Sequence, residues 1–141
     1  MIVVDANVLS EAMKPADMRS PRVFAWWRSQ PLDTMFTTTI TLAEILAGLA
    51  ILPESKRRAQ KQEATERIFS TVFPRRILSF DEAAARIYAD LITARRKRGG
   101  TTDPFDIQIA SIAKSRGMAV ATRNVPEFEQ SGIEVIDPWA S

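Results

Sequence analysis

The first seven residues constrain the fold more than any other stretch of the chain. Three consecutive β-branched residues, Ile2–Val4, are followed at once by Asp5. An unbroken run of this kind predicts a strand that is buried on both faces, as in a parallel sheet covered by helices. Asp5 then stands at the carboxyl end of the strand, where open α/β sheets bind their ligands. The sequence therefore makes Asp5 the first candidate for a functional site.

A structural role explains the same stretch equally well. Asp and Asn satisfy the free N–H groups at the start of a helix, and a short helix is predicted over residues 8–13. On that interpretation Asp5 or Asn7 is a helix cap without a chemical role. The motif is too short to decide between a cap and a site.

The absence of two residue types narrows the possible chemistry. The chain of 141 residues has no cysteine and no histidine. This excludes disulfides, thiol nucleophiles, a Ser-His-Asp triad, a histidine acid–base pair and most zinc enzymes. Any hydrolysis must then use carboxylates, lysines or a metal ion bound by oxygen.

The length and composition are those of one soluble globular domain, which we expect to span residues 1–141. Hydrophobic residues make up 45% of the chain and charged residues 26%. No apolar run approaches the ~20 residues of a membrane span, and the N-terminus enters a strand with no basic segment or cleavage site. We therefore expect a cytoplasmic protein.

Charge is nearly balanced overall but clustered locally. The 19 basic and 17 acidic residues leave a net charge of +2. Basic clusters that could contact phosphates lie at residues 56–61, 75–76 and 95–98. Each cluster is also explained as a solvated face, and the last one as a helix end, where cations complement the helix dipole.

Predicted strands and helices alternate along the chain. The predicted strands lie within residues 1–7, 35–39, 76–80, 118–121 and 133–136. The predicted helices are 8–13, one that begins at Pro21, 41–50, 54–72, 83–98, 104–116 and 126–130. This alternation predicts an α/β fold with a mainly parallel sheet.

Glu44 and Gly48 lie on the polar side of the helix predicted over residues 41–50. The apolar stripe of this helix is formed by residues 42, 45, 46 and 49, so its periodicity predicts that Glu44 is exposed. A glycine inside a helix costs about 1 kcal/mol relative to alanine. We therefore expect another group to approach the helix closely at Gly48.

Asp103 and Asp106 flank the start of another predicted helix. Asp103 precedes Pro104, a pattern typical of an N-cap followed by proline at the first helical position. Asp106 falls at the third helical position, close to a reciprocal capping box. Capping explains Asp103 well and is one explanation of Asp106.

Five short motifs, taken in order, resemble the PIN-domain family, and more narrowly its VapC and FitB-like toxins of bacterial toxin–antitoxin pairs. The motifs are VVDANVLSE at residues 3–11, TITLAEILAG at 39–48, FDIQIASIA at 105–113, VATRN at 120–124 and DPW at 137–139. The resemblance covers the whole chain. It implies a three-layer α/β/α sandwich with a mainly parallel five-stranded sheet.

The resemblance also implies an endoribonuclease that depends on Mg²⁺ or Mn²⁺. Carried over by position, Asp5, Glu44 and Asp106 are its catalytic, metal-binding acids. The supporting residues are Asn7, Asp103, Thr122, Asn124 and Glu127. Asn124 stands where the family often has a fourth acid. Glu127, one helical turn later, either supplies the missing carboxylate or complements the dipole of the helix predicted over residues 126–130.

The residue types themselves support this assignment. Mg²⁺ prefers carboxylate and water oxygens, and it can activate water and neutralise charge on a phosphodiester. Carboxylates gathered without a cation would raise one another's pKa. Our hypothesis is in-line attack of metal-activated water on RNA, and the resemblance implies products with 5′-phosphate and 3′-hydroxyl ends.

Three other classes of protein were weighed against this hypothesis. A phosphatase with an aspartyl nucleophile after the first strand needs a second aspartate two residues on, where this chain has Asn7. The 5 glycines form neither a P-loop nor a dinucleotide-binding pattern. A non-catalytic module that binds nucleic acid or an antitoxin on the PIN fold stays open, because the fourth acid is missing.

The resemblance implies protein partners besides the RNA substrate. Toxins of this family form homodimers or toxin–antitoxin hetero-oligomers, and they reach operator DNA only through the antitoxin. The antitoxin tail packs on helices near the site and often offers an arginine to the acids. We expect it on the helix with Trp26 and Trp27 or on the exposed part of the helix predicted over residues 54–72. No membrane partner is expected.

Overall fold

Short strands alternate with one or two helices in the computed structural model, which describes residues 1–99 and 103–140. The strands there are β1 (Ile2–Val4), β2 (Met35–Thr38), β3 (Ile77–Leu78), β4 (Ala119–Ala121) and β5 (Val135–Ile136). The α-helices are α1 (Ala6–Ala12), α2 (Pro21–Ser29), α3 (Thr39–Ala50), α4 (Lys56–Thr71), α5 (Glu82–Arg98), α6 (Pro104–Ser115) and α7 (Val125–Glu129), and a 3₁₀ turn, Leu32–Thr34, precedes β2. No helix within these two ranges is long and apolar enough to cross a membrane.

The strands form one parallel sheet in the order β3-β2-β1-β4-β5. Val3 of the central strand β1 pairs with Phe36 of β2 on one side and with Val120 of β4 on the other. The predicted parallel five-stranded sheet is therefore confirmed. Because the strands are parallel, the carboxyl ends of β1, β2 and β4 meet at the same edge of the sheet.

An apolar core lies on each face of the sheet. Successive strand side chains point to opposite faces, and both Val3 and Val4 are 0% exposed. Val3 packs in one cluster with Ile107 of α6, and Val4 packs in the other with Leu9 of α1 and Phe69 of α4. Burial of each such side chain stabilises the fold by roughly 1.5–3 kcal/mol. Helices on both faces give the expected three-layer α/β/α sandwich.

The first helix begins earlier than the sequence predicts. α1 starts at Ala6 rather than at residue 8, because Asp5 is the N-cap. The Ala6 N–H donates a hydrogen bond of 2.8 Å to Asp5 Oδ1. Asn7 therefore lies inside the helix, and the prediction that it could be the cap is wrong.

Other predicted boundaries also shift, each for a local reason. α3 begins at Thr39 because the Thr38 hydroxyl accepts a hydrogen bond from the Thr41 N–H at 3.0 Å. The strand predicted over residues 35–39 is shorter as a result. The last strand is shorter too, since β5 holds only 2 residues.

The two adjacent tryptophans belong to the core. Trp26 and Trp27 are half-buried and pack against the cluster around Val4. The Trp27 ring meets Phe73 edge to face, with centroids 6.3 Å apart. Core packing therefore accounts for the buried part of both rings, and docking of a partner on α2 stays a prediction.

The basic clusters are partly used inside the protein. The buried Arg95 binds Glu127, Arg76 donates to the Met35 carbonyl, and Arg98 donates to the Gln130 carbonyl. These guanidinium groups tie neighbouring elements together, and the buried Arg95 is not free to contact phosphates. Exposed cations remain at positions 56, 57, 61, 75, 96, 97 and 98.

Candidate active site

Asp5 is buried at the carboxyl end of β1, where it is only 3% exposed. Its Oδ1 caps α1, while its Oδ2 accepts hydrogen bonds from Thr122 Oγ1 at 2.8 Å and from Asn7 Nδ2 at 3.4 Å. Burial raises the pKa of Asp5 above its ordinary value, although these hydrogen bonds oppose the shift. Capping and participation in a site are therefore compatible at this residue.

Thr122 and Asn7 hold the Asp5 carboxylate in place. Thr122 follows β4 and is fully buried, and its Oγ1 also accepts hydrogen bonds from Asn7 Nδ2 at 3.3 Å and from the Asn124 N–H at 3.0 Å. Asn7 Oδ1 in turn accepts one from the Arg123 N–H at 3.1 Å. The network joins the ends of β1 and β4, so it orients the carboxylate without adding charge.

Asp106 lies in the first turn of α6 and is 7% exposed. It does not cap this helix, because Asp103 is the N-cap and accepts the Phe105 N–H at 2.9 Å. The pKa of Asp106 is raised to about 7, mainly by burial and then by the charges of Asp5, Asp103, Glu44 and Glu127, in that order. The carboxylates of several elements therefore converge around Asp106.

Glu44 is half-buried, so the prediction that it is exposed is wrong. α3 packs against both α1 and α6, and these neighbours cover a helix side that the periodicity of α3 alone labels polar. The pKa of Glu44 is raised to about 7, mainly by burial and then by the charges of Asp5 and Asp103. Its Oε1 is buried and finds no hydrogen-bond partner among the described residues.

The remaining sequence candidates lie around these acids. Asp103 is exposed at the rim, close enough to act on all three buried acids. Asn124 is exposed and precedes α7, and its side chain does not cap that helix. Glu127 lies in the first turn of α7, where Arg95 Nη2 binds its Oε2 at 2.9 Å and Arg95 Nη1 binds its carbonyl at 3.0 Å.

Sequence reasoning missed the burial of Arg95, which is 5% exposed. The available signal was helical spacing, since Ala84, Leu91 and Arg95 lie on the same face of α5 and all three are buried. A buried guanidinium is costly unless it is paired. Its partner Glu127 is therefore held at a defined place beside the acids.

The donor set of the acids fits a divalent cation. Within residues 1–99 and 103–140, no three His, Cys, Asp or Glu side chains stand close enough to hold a metal ion as they are. Glu44 Oε1 nevertheless has no partner among the described residues, and neighbouring charges raise the pKa values of Glu44 and Asp106, so a cation bound here would stabilise the ionised acids. Carboxylate oxygens are the ligands that a hard cation such as Mg²⁺ prefers.

A groove of about 900 Å³ opens beside Glu44 between α1, α3 and α4. Its walls include Met13, which follows α1, Gly48 of α3 and Lys61 of α4. A Cβ atom built on Gly48 would meet nothing within 4 Å. The close approach predicted at Gly48 is therefore not made by the described part of this chain, and the glycine instead widens the groove.

Comparisons with known proteins agree with this geometry. The model of the PIN-domain family matches residues 2–128. The chain is 39% identical over 139 residues to the VapC ribonuclease Y4jK of Sinorhizobium fredii, covering 99% of this chain and 98% of the relative. It is 35% identical over 139 residues to toxin FitB of Neisseria gonorrhoeae, covering 99% of both chains.

A solved structure shows the same fold over nearly the whole chain. This structure, of FitAB bound to an IR36 DNA fragment, superimposes with a TM-score of 0.90 at 36% identity, covering 99% of this chain and 96% of that one. The family model, the sequence identities and the structural superposition all identify the same family. The chain therefore belongs to the PIN-domain family of nucleases, in its group of VapC and FitB toxins.

Proposed function

We propose that this chain hydrolyses RNA with a Mg²⁺ or Mn²⁺ ion held by Asp5, Glu44 and Asp106, as the toxin of a toxin–antitoxin pair. The observation that carries this proposal is the buried acid cluster, in which the Glu44 and Asp106 pKa values are raised to about 7 and Glu44 Oε1 has no partner among the described residues. An uncompensated cluster of this kind is costly to the fold. Because the acid cluster lowers the stability of the fold, a role in metal binding explains its presence better than a structural role does.

Each residue has a separate role in the proposed site. When bound, the cation would activate water for attack on a phosphodiester and neutralise charge that develops on the phosphate. Asp5 would hold it in a fixed position, because Thr122 and Asn7 fix the carboxylate. Glu44 and Asp106 would release protons as the ion binds, since a ligating carboxylate must be ionised.

Glu127 and Asn124 differ in what they offer to this site. Glu127 adds negative charge close enough to act on Asp106, and Arg95 fixes one of its oxygens. Asn124 adds no charge, and its side chain is exposed. We therefore infer that Glu127 supplements the three acids more strongly than Asn124 does, directly or through water.

We also propose that a cognate antitoxin neutralises the chain by lying in the groove beside Glu44. One structure of similar fold is that of FitAB bound to an IR36 DNA fragment, and by resemblance an antitoxin would carry this chain to operator DNA. The groove is lined by apolar side chains such as Met13 and Leu49, by basic ones such as Lys61, and by Glu44. A partner cation placed at Glu44 would satisfy its orphaned oxygen.

We infer that the protein acts in the cytoplasm, where its RNA substrate is, as a homodimer or a hetero-oligomer with the antitoxin.

The test is cleavage of RNA by the purified chain. Chelation should stop cleavage, Mg²⁺ or Mn²⁺ should restore it, and Zn²⁺ should substitute poorly because only oxygen ligands are present. Asp106→Asn should reduce the rate by at least about a hundredfold while the protein stays folded. Cleavage that survives thorough chelation would contradict the metal mechanism. RNA binding without cleavage under any metal would instead identify a non-catalytic module.

A further inference from the structure

Arg123 is an exposed arginine fixed directly to the acid site through its backbone. It follows Thr122, and its N–H donates to Asn7 Oδ1 at 3.1 Å. Asn7 in turn binds both Asp5 and Thr122. The backbone of Arg123 is therefore held in place by the same hydrogen bonds that orient Asp5.

The guanidinium group of Arg123 stacks on an aromatic ring. Its central carbon lies 4.8 Å from the centroid of Trp139. Trp139 is itself anchored, since its N–H donates to Asp137 Oδ1 at 3.0 Å and its carbonyl accepts from Arg22 Nη1 at 3.1 Å. Stacking on a held ring limits the freedom of the arginine, so less order is lost when it binds an anion.

The Arg123 side chain is exposed to solvent, and the carboxylate of Glu11 does not close it off. Glu11 is near enough for an electrostatic interaction, but its oxygens are bound by Lys14 Nζ at 3.0 Å and by the Ser20 N–H at 2.8 Å. The guanidinium is therefore available to an anion from outside the chain.

We propose that Arg123, stacked on Trp139, binds a backbone phosphate of single-stranded RNA beside the cleaved bond. A guanidinium presents paired N–H donors that match phosphate oxygens. RNA must approach a cluster of carboxylates that repels it, and a cation on the residue that directly follows Thr122 offsets part of that repulsion. The inference rests on the proposed function, because RNA is taken as the substrate.

The experiment measures binding of a fluorescein-labelled, single-stranded RNA of mixed sequence to the full chain by fluorescence anisotropy. Ca²⁺ replaces the catalytic cation, and a denaturing gel verifies that the RNA stays intact. At low salt, Arg123→Gln should weaken binding about tenfold, as expected for a lost charge-assisted contact. It should also reduce the slope of log Kd against log salt by about 0.7, the value for one phosphate contact to a single strand.

Three further variants separate this contact from general charge and from folding. Arg86→Gln removes the same charge from an exposed arginine on α5, which is paired with Glu82 at 3.1 Å and lies far along the chain from the site. It should leave the affinity within about twofold of wild type. Arg123→Lys should keep the salt slope and recover part of the affinity. Trp139→Leu should weaken binding with the slope unchanged, because the charge remains.

The outcomes separate the inference from the proposed function. If wild type cleaves and binds RNA but Arg123→Gln and Arg86→Gln have the same affinity and salt slope, the Arg123 contact is wrong and the nuclease proposal stands. If wild type neither binds nor cleaves RNA, both proposals are overturned. Circular dichroism of every variant shows whether a loss of binding reflects unfolding, and in that case Arg123→Lys, which keeps the charge, decides.

Discussion

At the scale of single residues, the acids of the candidate site oppose folding unless a cation is bound. Asp106 is buried and Glu44 is half-buried, and the charge of Glu44 acts on Asp106. The pKa of each is raised to about 7. Near neutral pH the metal-free fold must therefore either take up protons or hold buried charges close together. Replacing one of these acids should therefore change both the stability of the metal-free protein and its affinity for a cation.

The metal-free protein should lose stability as the pH rises from about 4 to about 7. Folding raises the pKa of Asp106 from 3.8 and that of Glu44 from 4.5, both to about 7. The folded state therefore binds more protons than the unfolded chain across this window. The stabilisation is complete below the unfolded pKa values and is lost as the pH rises through the folded ones.

Urea unfolding in the presence of a chelator, at a series of pH values, measures this loss. Asp106→Asn should flatten the profile and raise the free energy of unfolding near neutral pH by roughly 1–3 kcal/mol, because a buried charge is removed. Saturating Mn²⁺ should flatten the wild-type profile as well. An Asp106→Asn profile parallel to that of wild type would show that Asp106 does not carry the raised pKa.

Glu44→Gln should weaken Mn²⁺ binding by about tenfold or more, because a charged ligand becomes neutral. Isothermal titration calorimetry of the folded variant measures the affinity directly. Glu66→Gln is the matched control, since Glu66 is exposed on α4. Equal Mn²⁺ affinities for the two variants would remove Glu44 from the metal site.

At the scale of elements, the pair formed by Arg95 and Glu127 joins α5 to α7. The Arg95 side chain is 7% exposed and that of Glu127 is 30% exposed. Two hydrogen bonds from one guanidinium, to the carboxylate and to the carbonyl of the same residue, fix the first turn of α7. α7 directly follows the segment that carries Thr122 and Arg123. The pair therefore affects the geometry of the site edge as well as stability.

Arg95→Met should destabilise the protein by about 1–3 kcal/mol, because it leaves Glu127 partly buried and unpaired. The double variant Arg95→Met, Glu127→Met should recover most of this loss. Chemical unfolding of both single variants and the double variant, read as a double-mutant cycle, measures the coupling. A coupling near zero would mean that Arg95 acts only through the packing of its aliphatic chain.

Gly48→Leu tests the groove beside Glu44. A side chain at Gly48 meets no atom of the described chain within 4 Å, and leaving glycine gains up to about 1 kcal/mol of helix stability. The variant should therefore fold at least as well as wild type, cleave RNA normally and lose affinity for the antitoxin. Ala47→Leu is the control, because Ala47 is exposed on the same helix but does not line the groove. Equal antitoxin affinity for both variants, measured by biolayer interferometry, would place the antitoxin elsewhere.

At the scale of the whole molecule, the parallel sheet gathers residues that are distant in sequence. Asp5 follows β1, Thr122 follows β4, and these two side chains bond at 2.8 Å across 117 positions of the chain. Glu44 and Asp106 come from helices that pack against each other above the same edge. The candidate site therefore exists only in the assembled sheet, and no single element contains it.

Local patterns in the sequence determined most of the architecture. The β-branched run before Asp5 predicted a strand buried on both faces, and both Val3 and Val4 are fully buried. Proline at the first helical position placed the starts of α2 and α6 correctly. These signals succeed because strand burial and helix capping depend on neighbouring residues. The prediction that residues 1–141 form one domain stays a prediction.

The tertiary structure decided what lies against each helix. The periodicity of α3 predicted an exposed Glu44, yet α1 and α6 cover it. Periodicity failed to predict the burial of Arg95 for the same reason. The Arg95 side chain can be buried in α5 only because α7 places Glu127 beside it as an ion-pair partner. Periodicity describes one helix in isolation, whereas burial, raised pKa values and ion pairs depend on what packs against it. The chemistry of this site was therefore set by contacts between elements far apart in the chain.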